Sequence, residues 1–269
     1  MGLAIIMLKI RHKSLRFKII VGACLFILLA LASLFIYLNS VTYQPSEQAL
    51  SDFQSDSKVR VTEVKDGYKF EPTNDQQIKE PNIIFYPGGL VDPISYSPLA
   101  RELAKSGHRV YIANMPLNLS IFGQNKADSF LAEYPKESYV IGGHSLGGVF
   151  ASRYAVEHTE QLKGVFFLAS YADEDGALKD TNLSALQITG TNDGVLNKKE
   201  WESSKKNLPK DTAFVSINGG NHSQFGSYGM QKGDHKPTIS ESKQIETIVM
   251  AMEEWFMQMN ITPYVQIAK

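Results

Sequence analysis

The chain opens on one long apolar block and then changes to short apolar runs divided by polar turns. From Ile19 to Leu38 no residue is charged and nearly all are apolar. At about 1.5 Å per residue, a helix of that length reaches roughly 30 Å, the hydrocarbon thickness of a bilayer. Residues 39–57 are rich in Ser, Gln and Asp, lack a sustained period and predict a solvated stalk. Val59-Arg60-Val61 alternates towards Val64, Asp66-Gly67 supplies a tight turn, and Tyr68-Lys69-Phe70 alternates back, as in a β-hairpin. Strands are then predicted at 82–86, 110–113, 139–141, 165–168, 185–188 and 213–217. Between them lie helices from Ser97 (N-cap) and Pro98 to the stop at Gly107, a weaker one at 126–134, and one at 148–158; a last, amphipathic helix covers 241–257. Continuous apolar strands alternating with helices imply a mostly parallel sheet covered on both faces, an α/β domain over 58–269.

Composition adds limits. The 269 residues are 43% hydrophobic and 20% charged, which suits a packed core, and a net charge of -1 offers nothing to nucleic acid. Cys24 is the sole cysteine, so no intrachain disulfide can form. Lys9, Arg11, Lys13, Arg16 and Lys18 precede the apolar block, and the first acidic residue is Glu47. The positive-inside rule then makes 1–18 a cytoplasmic segment and 19–38 a single-pass anchor in the cell membrane, with the domain on the far side. A cleaved signal peptide is the alternative; the length of the run argues for retention.

Gly143-His144-Ser145-Leu146-Gly147 follows an apolar strand and precedes a helix. That is the setting of a nucleophile elbow, in which a sharp turn exposes the serine and the flanking glycines, Gly143 and Gly147, avoid collisions. A serine hydroxyl needs a base. His222, on a loop after the strand ending at Ile217, lies at the carboxyl edge where open α/β sheets build sites. His144, His235, His108, His158 and His12 are less well placed. Asp193, between serine and histidine in chain order and directly after a strand, is the orienting acid, with Asp173 and Asp175 as rivals. Two backbone N–H donors for a developing oxyanion would be Leu146 and either Gly89 or Leu90, a choice that spacing leaves open. Asp92, Tyr96 and Asp234 read as loop-ordering residues.

With these residues placed, the chain from about Ile83 onward resembles the α/β-hydrolase superfamily. It is most similar to small members that carry Tyr86-Pro87-Gly88-Gly89, Met115-Pro116-Leu117-Asn118, Gly142-Gly143-His144-Ser145-Leu146-Gly147-Gly148 and Asn221-His222-Ser223-Gln224-Phe225-Gly226. The resemblance implies the same triad, Ser145, Asp193 and His222, and carries no substrate with it. Only residues 171–182 separate the strand after the elbow helix from the acid-bearing strand, too few for a helical lid. The expectation is a membrane-anchored serine hydrolase acting on a small ester, thioester or other acyl substrate, without cofactor or metal and of open oligomeric state. Peptidase or acyltransferase chemistry on the same triad, or a non-catalytic binding module, are the alternatives.

Overall fold

The computed structural model describes residues 14–74 and 78–259. Most of the expected cytoplasmic segment, residues 1–13 with His12, lies outside the described residues. The chain divides into two compact units, one ending at Thr42 and the other starting at Tyr43. In the first, helix α1 spans Leu15–Val41 and none of its residues is buried. The Ser14 hydroxyl caps it, accepting from the Phe17 N–H at 3.4 Å. By length and composition α1 can cross a membrane, and the same features fit a signal sequence.

The second unit begins with α2 (Glu47–Asp52), β1 (Val59–Val64), β2 (Gly67–Pro72), β3 (Lys79–Tyr86), α3 (Ser97–Lys105) and β4 (His108–Ala113). It continues through α4 (Ala127–Leu131), β5 (Tyr139–His144), α5 (Leu146–Glu157) and β6 (Leu162–Leu168), and closes with β7 (Ser184–Gly190), α6 (Lys198–Ser204), β8 (Ala213–Ile217) and α7 (Glu241–Gln258). The strands form an eight-stranded sheet in the order β1-β2-β4-β3-β5-β6-β7-β8. β1, β2 and β4 pair antiparallel and every later pairing is parallel.

Alternate side chains of the apolar strands feed two cores, which is why these strands are hydrophobic throughout. Ile83, Phe85, Val110, Val140 and Phe166 face one core, closed by Leu99 and Leu103 of α3 and by Ile248 and Trp255 of α7. Ile84, Tyr86, Tyr111, Ile141 and Phe167 face the other, closed by Phe130 of α4 and by Phe150 and Tyr154 of α5. α3 stops at Gly107, which takes φ 113°, a left-handed conformation that glycine adopts without cost.

Two expectations change. The stalk predicted at 39–57 is not a free linker: 39–41 continue α1, and from Tyr43 the chain lies on the domain. Tyr43 exchanges backbone hydrogen bonds with Leu90 and Asp92, and Ser46 caps α2, whose Ala49 is fully buried. The buried Arg101 of α3 donates to the Asp52 carbonyl at 2.8 Å, to the Gln54 carbonyl and to the Asp56 carboxylate at 2.7 Å. The polar residues that suggested solvation are caps and acceptors for this docking. α6 was not anticipated because its sequence is almost wholly polar; it starts on an Asn197 cap that accepts from the Glu200 N–H at 3.2 Å.

Arg101→Ala strands those acceptors and is expected to cost about 2 kcal/mol. The check is the urea midpoint of the full chain, together with chymotrypsin cleavage at Leu50 or Phe53, which should become fast while the sheet stays intact.

Candidate active site

Ser145, Asp193 and His222 follow β5, β7 and β8, so parallel strands deliver all three loops to one edge of the sheet. Ser145 joins β5 to α5 with φ 52° and ψ -123°. A non-glycine residue there is strained and is held by its surroundings. The Ser145 N–H donates to the Leu168 carbonyl at 3.0 Å, and its own carbonyl accepts from the Ser170 hydroxyl at 2.6 Å. A Cβ at Gly143 would overlap the Tyr86 carbonyl oxygen, and one at Gly147 the carbonyl oxygens of Tyr86 and Pro87. The flanking glycines are therefore required by close backbone approach.

His222 and Asp193 are each about 1% exposed, and His222 Nδ1 lies 2.9 Å from Asp193 Oδ2. The other carboxylate oxygen accepts from the N–H groups of Val195 and Leu196, both at 2.8 Å. A buried carboxylate needs such donors to remain charged. With Asp193 accepting the Nδ1 proton, the Nε2 lone pair of His222 is available, and that buried nitrogen has no hydrogen-bond partner among the described residues. Ser145 and His222 line one cleft of about 220 Å³, walled by Leu146, Val149, Tyr171 and Leu196.

The structure brings two of the expected oxyanion-donor residues close together. A Cβ placed on Gly89 would sit 3.1 Å from the Leu146 side chain, so the two residues are neighbours at this edge. Leu90 drops out because its N–H already donates to the Asn118 carbonyl at 2.8 Å. Leu146 is the first residue of α5, where helix N–H groups and the macrodipole favour negative charge.

The remaining histidines and acids are engaged elsewhere. His108 is buried between the Pro81 carbonyl and Glu253, and His158 stacks on Tyr154 at 3.9 Å. Asp173 and Asp175 pair with Arg153. His235 is exposed, and its backbone bonds to the Asn221 amide and the Asp234 carboxylate. His144 packs against His222, ring centroids 4.5 Å apart, but its Nδ1 lies 2.9 Å from the Tyr96 hydroxyl. That hydroxyl also accepts from the Gly88 N–H, so it bridges the loop after β3 to His144. Burial, with His222 pushing the same way, holds the His144 pKa well below the ordinary 6.5 and keeps the ring neutral. Among the described residues no group of His, Cys, Asp and Glu could hold a metal ion.

Two supporting residues escape the sequence reading. Ser170 ties the elbow to the end of β6, and no local motif announces it. Asp234, anticipated only as loop-ordering, joins two catalytic loops: it accepts from Gly194 at 3.0 Å, from the His222 and Ser223 amides at 3.3 and 2.8 Å, and from the Ser223 hydroxyl at 2.6 Å. Burial raises its carboxyl, but these hydrogen bonds outweigh burial and leave the pKa below the ordinary 3.8.

Residues 82–246 match the model of the alpha/beta hydrolase family. Solved structures share the fold at low identity. An esterase from Pseudomonas putida is 17% identical with a TM-score of 0.53, covering 79% of this chain and 86% of its own. A dienelactone hydrolase from Anabaena variabilis is 17% identical at 0.55, covering 75% and 98%. An esterase from Mycobacterium tuberculosis is 10% identical at 0.53, covering 77% and 97%. A comparison with curated proteins found no match.

The depressed Asp234 pKa contributes stability that is fully present above 3.8 and is lost as pH falls through the lower folded value. Asp234→Asn is expected to lower the denaturation midpoint at neutral pH, and the gap to the parent should shrink below pH 3.8. A pH-independent gap in paired urea titrations would contradict this.

Proposed function

Since the chain belongs to the alpha/beta hydrolase family, we propose that it is a serine hydrolase cleaving carboxylic esters or thioesters through Ser145, His222 and Asp193. The observation that carries the reading is the strained Ser145 sharing a cleft with a buried His222 whose Nδ1 is bound to Asp193. Ser145 Oγ attacks the acyl carbonyl carbon while His222 Nε2 takes the hydroxyl proton. The tetrahedral oxyanion accepts hydrogen bonds from the N–H groups of Leu146 and Gly89. His222 returns the proton to the departing alkoxide or thiolate as the carbon–oxygen or carbon–sulfur bond breaks. Water, deprotonated by His222, then attacks the acyl-serine and frees the acid and Ser145. Asp193 fixes the Nδ1–H tautomer and stabilises the imidazolium in both halves.

The absence of any helix between β6 and β7 supports a site entered without a lid. We further read α1 as a retained anchor, N-terminus in the cytoplasm and hydrolase domain outside, on the strength of its 27 unburied residues and the basic residues before it.

Ser145→Ala is expected to abolish turnover of a p-nitrophenyl butyrate probe by the detergent-solubilised full chain without shifting its melting temperature. Asp193→Asn should lower kcat by about three to four orders of magnitude, because the tautomer is lost while the geometry survives. Full activity in purified Ser145→Ala would overturn the assignment.

A further inference from the structure

The chain enters its second unit at the oxyanion loop. Tyr43, the first residue of that unit, donates its N–H to the Leu90 carbonyl at 2.8 Å and accepts from the Asp92 N–H at 3.0 Å. Its ring lies 5.4 Å from that of Tyr228, and its hydroxyl accepts from the Lys232 N–H at 3.0 Å. Only Thr42 stands between Tyr43 and Val41, the last residue of α1. Two residues of chain reach about 7 Å at most, which bounds the separation of Tyr43 from the last residue of α1.

The neighbouring loop is built for the same surface. Asn118 accepts the Leu90 N–H, and Leu119 lies against the position of a Cβ on Gly89. Around them Leu117, Ile121 and Phe122 stand 38%, 55% and 58% exposed, three large apolar side chains within six residues. Leu117 and Asn118 both hold left-handed conformations, φ 56° and 54°, a strain the local fold maintains. Met230, on the loop that reaches Tyr43, is also exposed. The other exposed large apolar residues of this unit are Leu50 on α2, Phe214 on β8, and Met250 and Met257 on α7. A contiguous apolar rim on a soluble surface marks an interaction site, and a surface helix or loop of this kind inserts at the headgroup boundary.

We propose that the rim formed by Leu117, Ile121 and Phe122 rests in the bilayer that α1 crosses, and that the Ser145 cleft takes membrane-dissolved amphiphilic acyl esters. This rests on the ester-hydrolase reading and on retention of α1. On this proposal the bilayer takes the place of a lid, and the rim meets the cleft through Leu119 and the cleft residue Leu146, both beside the position of a Cβ on Gly89.

The test uses the full chain reconstituted in phosphatidylcholine vesicles with or without bromine on the acyl chains. Trp201 and Trp255 are the only native tryptophans. Phe122→Trp is expected to add fluorescence that brominated lipid quenches, whereas Phe214→Trp adds none that it quenches. Equal quenching at the two positions overturns membrane contact. In the same vesicles Ile121→Ser/Phe122→Ser should lose about tenfold or more in turnover of a long-chain ester dissolved in the bilayer, while a water-soluble butyrate ester stays within about threefold. Unchanged turnover of the bilayer ester, or equal loss on both esters, overturns the substrate assignment. A parent chain inactive on both esters fails the hydrolase premise instead, and the quenching then decides membrane contact by itself.

Discussion

Two carbonyl oxygens at the end of β3, those of Tyr86 and Pro87, occupy the space that a Cβ at 143 or 147 would need. The backbone of β3 thereby presses directly on the turn between β5 and α5. Ser145, at the apex, is driven to φ 52° and projects into the cleft at the start of a helix. The pressure comes from sheet register, with Tyr86 opposite Gly143, so the reactive geometry is a property of the whole parallel sheet. A side chain at Gly143 would have to part β3 from β5, and one at Gly147 would have to part β3 from α5.

The rest of the site is fastened to the same edge by buried polar contacts. Asp193 holds His222, two backbone amides hold Asp193, and Asp234 ties the acid loop to the base loop. On the other side the Gly88 amide, Tyr96 and neutral His144 run in sequence behind the base. The loop after β3 is thus hydrogen-bonded through Tyr96 to His144, whose ring packs on that of His222. In the proposed reaction, preorganisation of this kind would let a cleft of about 220 Å³ stabilise a developing anion.

Much of this was legible in the sequence because it depends on chain order and strand ends. Alternating apolar strands gave the sheet, and residues placed directly after strands gave Ser145, Asp193 and His222 as neighbours. What escaped depends on contacts across the fold. Spacing could not decide between Gly89 and Leu90; the commitment of the Leu90 amide to the Asn118 carbonyl, which favours Gly89, is a contact across the fold. Ser170 and the reach of Asp234 act between loops distant in sequence. The polar run 39–57 read as a stalk because composition cannot distinguish groups facing water from groups that Arg101 collects.

The account stands on Ser145 being the one activated serine of the fold. The most direct measurement is peptide mapping by mass spectrometry after treating the folded full chain with a fluorophosphonate. The account predicts a single adduct, on Ser145, that disappears in His222→Ala. An adduct on another serine, or none on correctly folded protein, would contradict it.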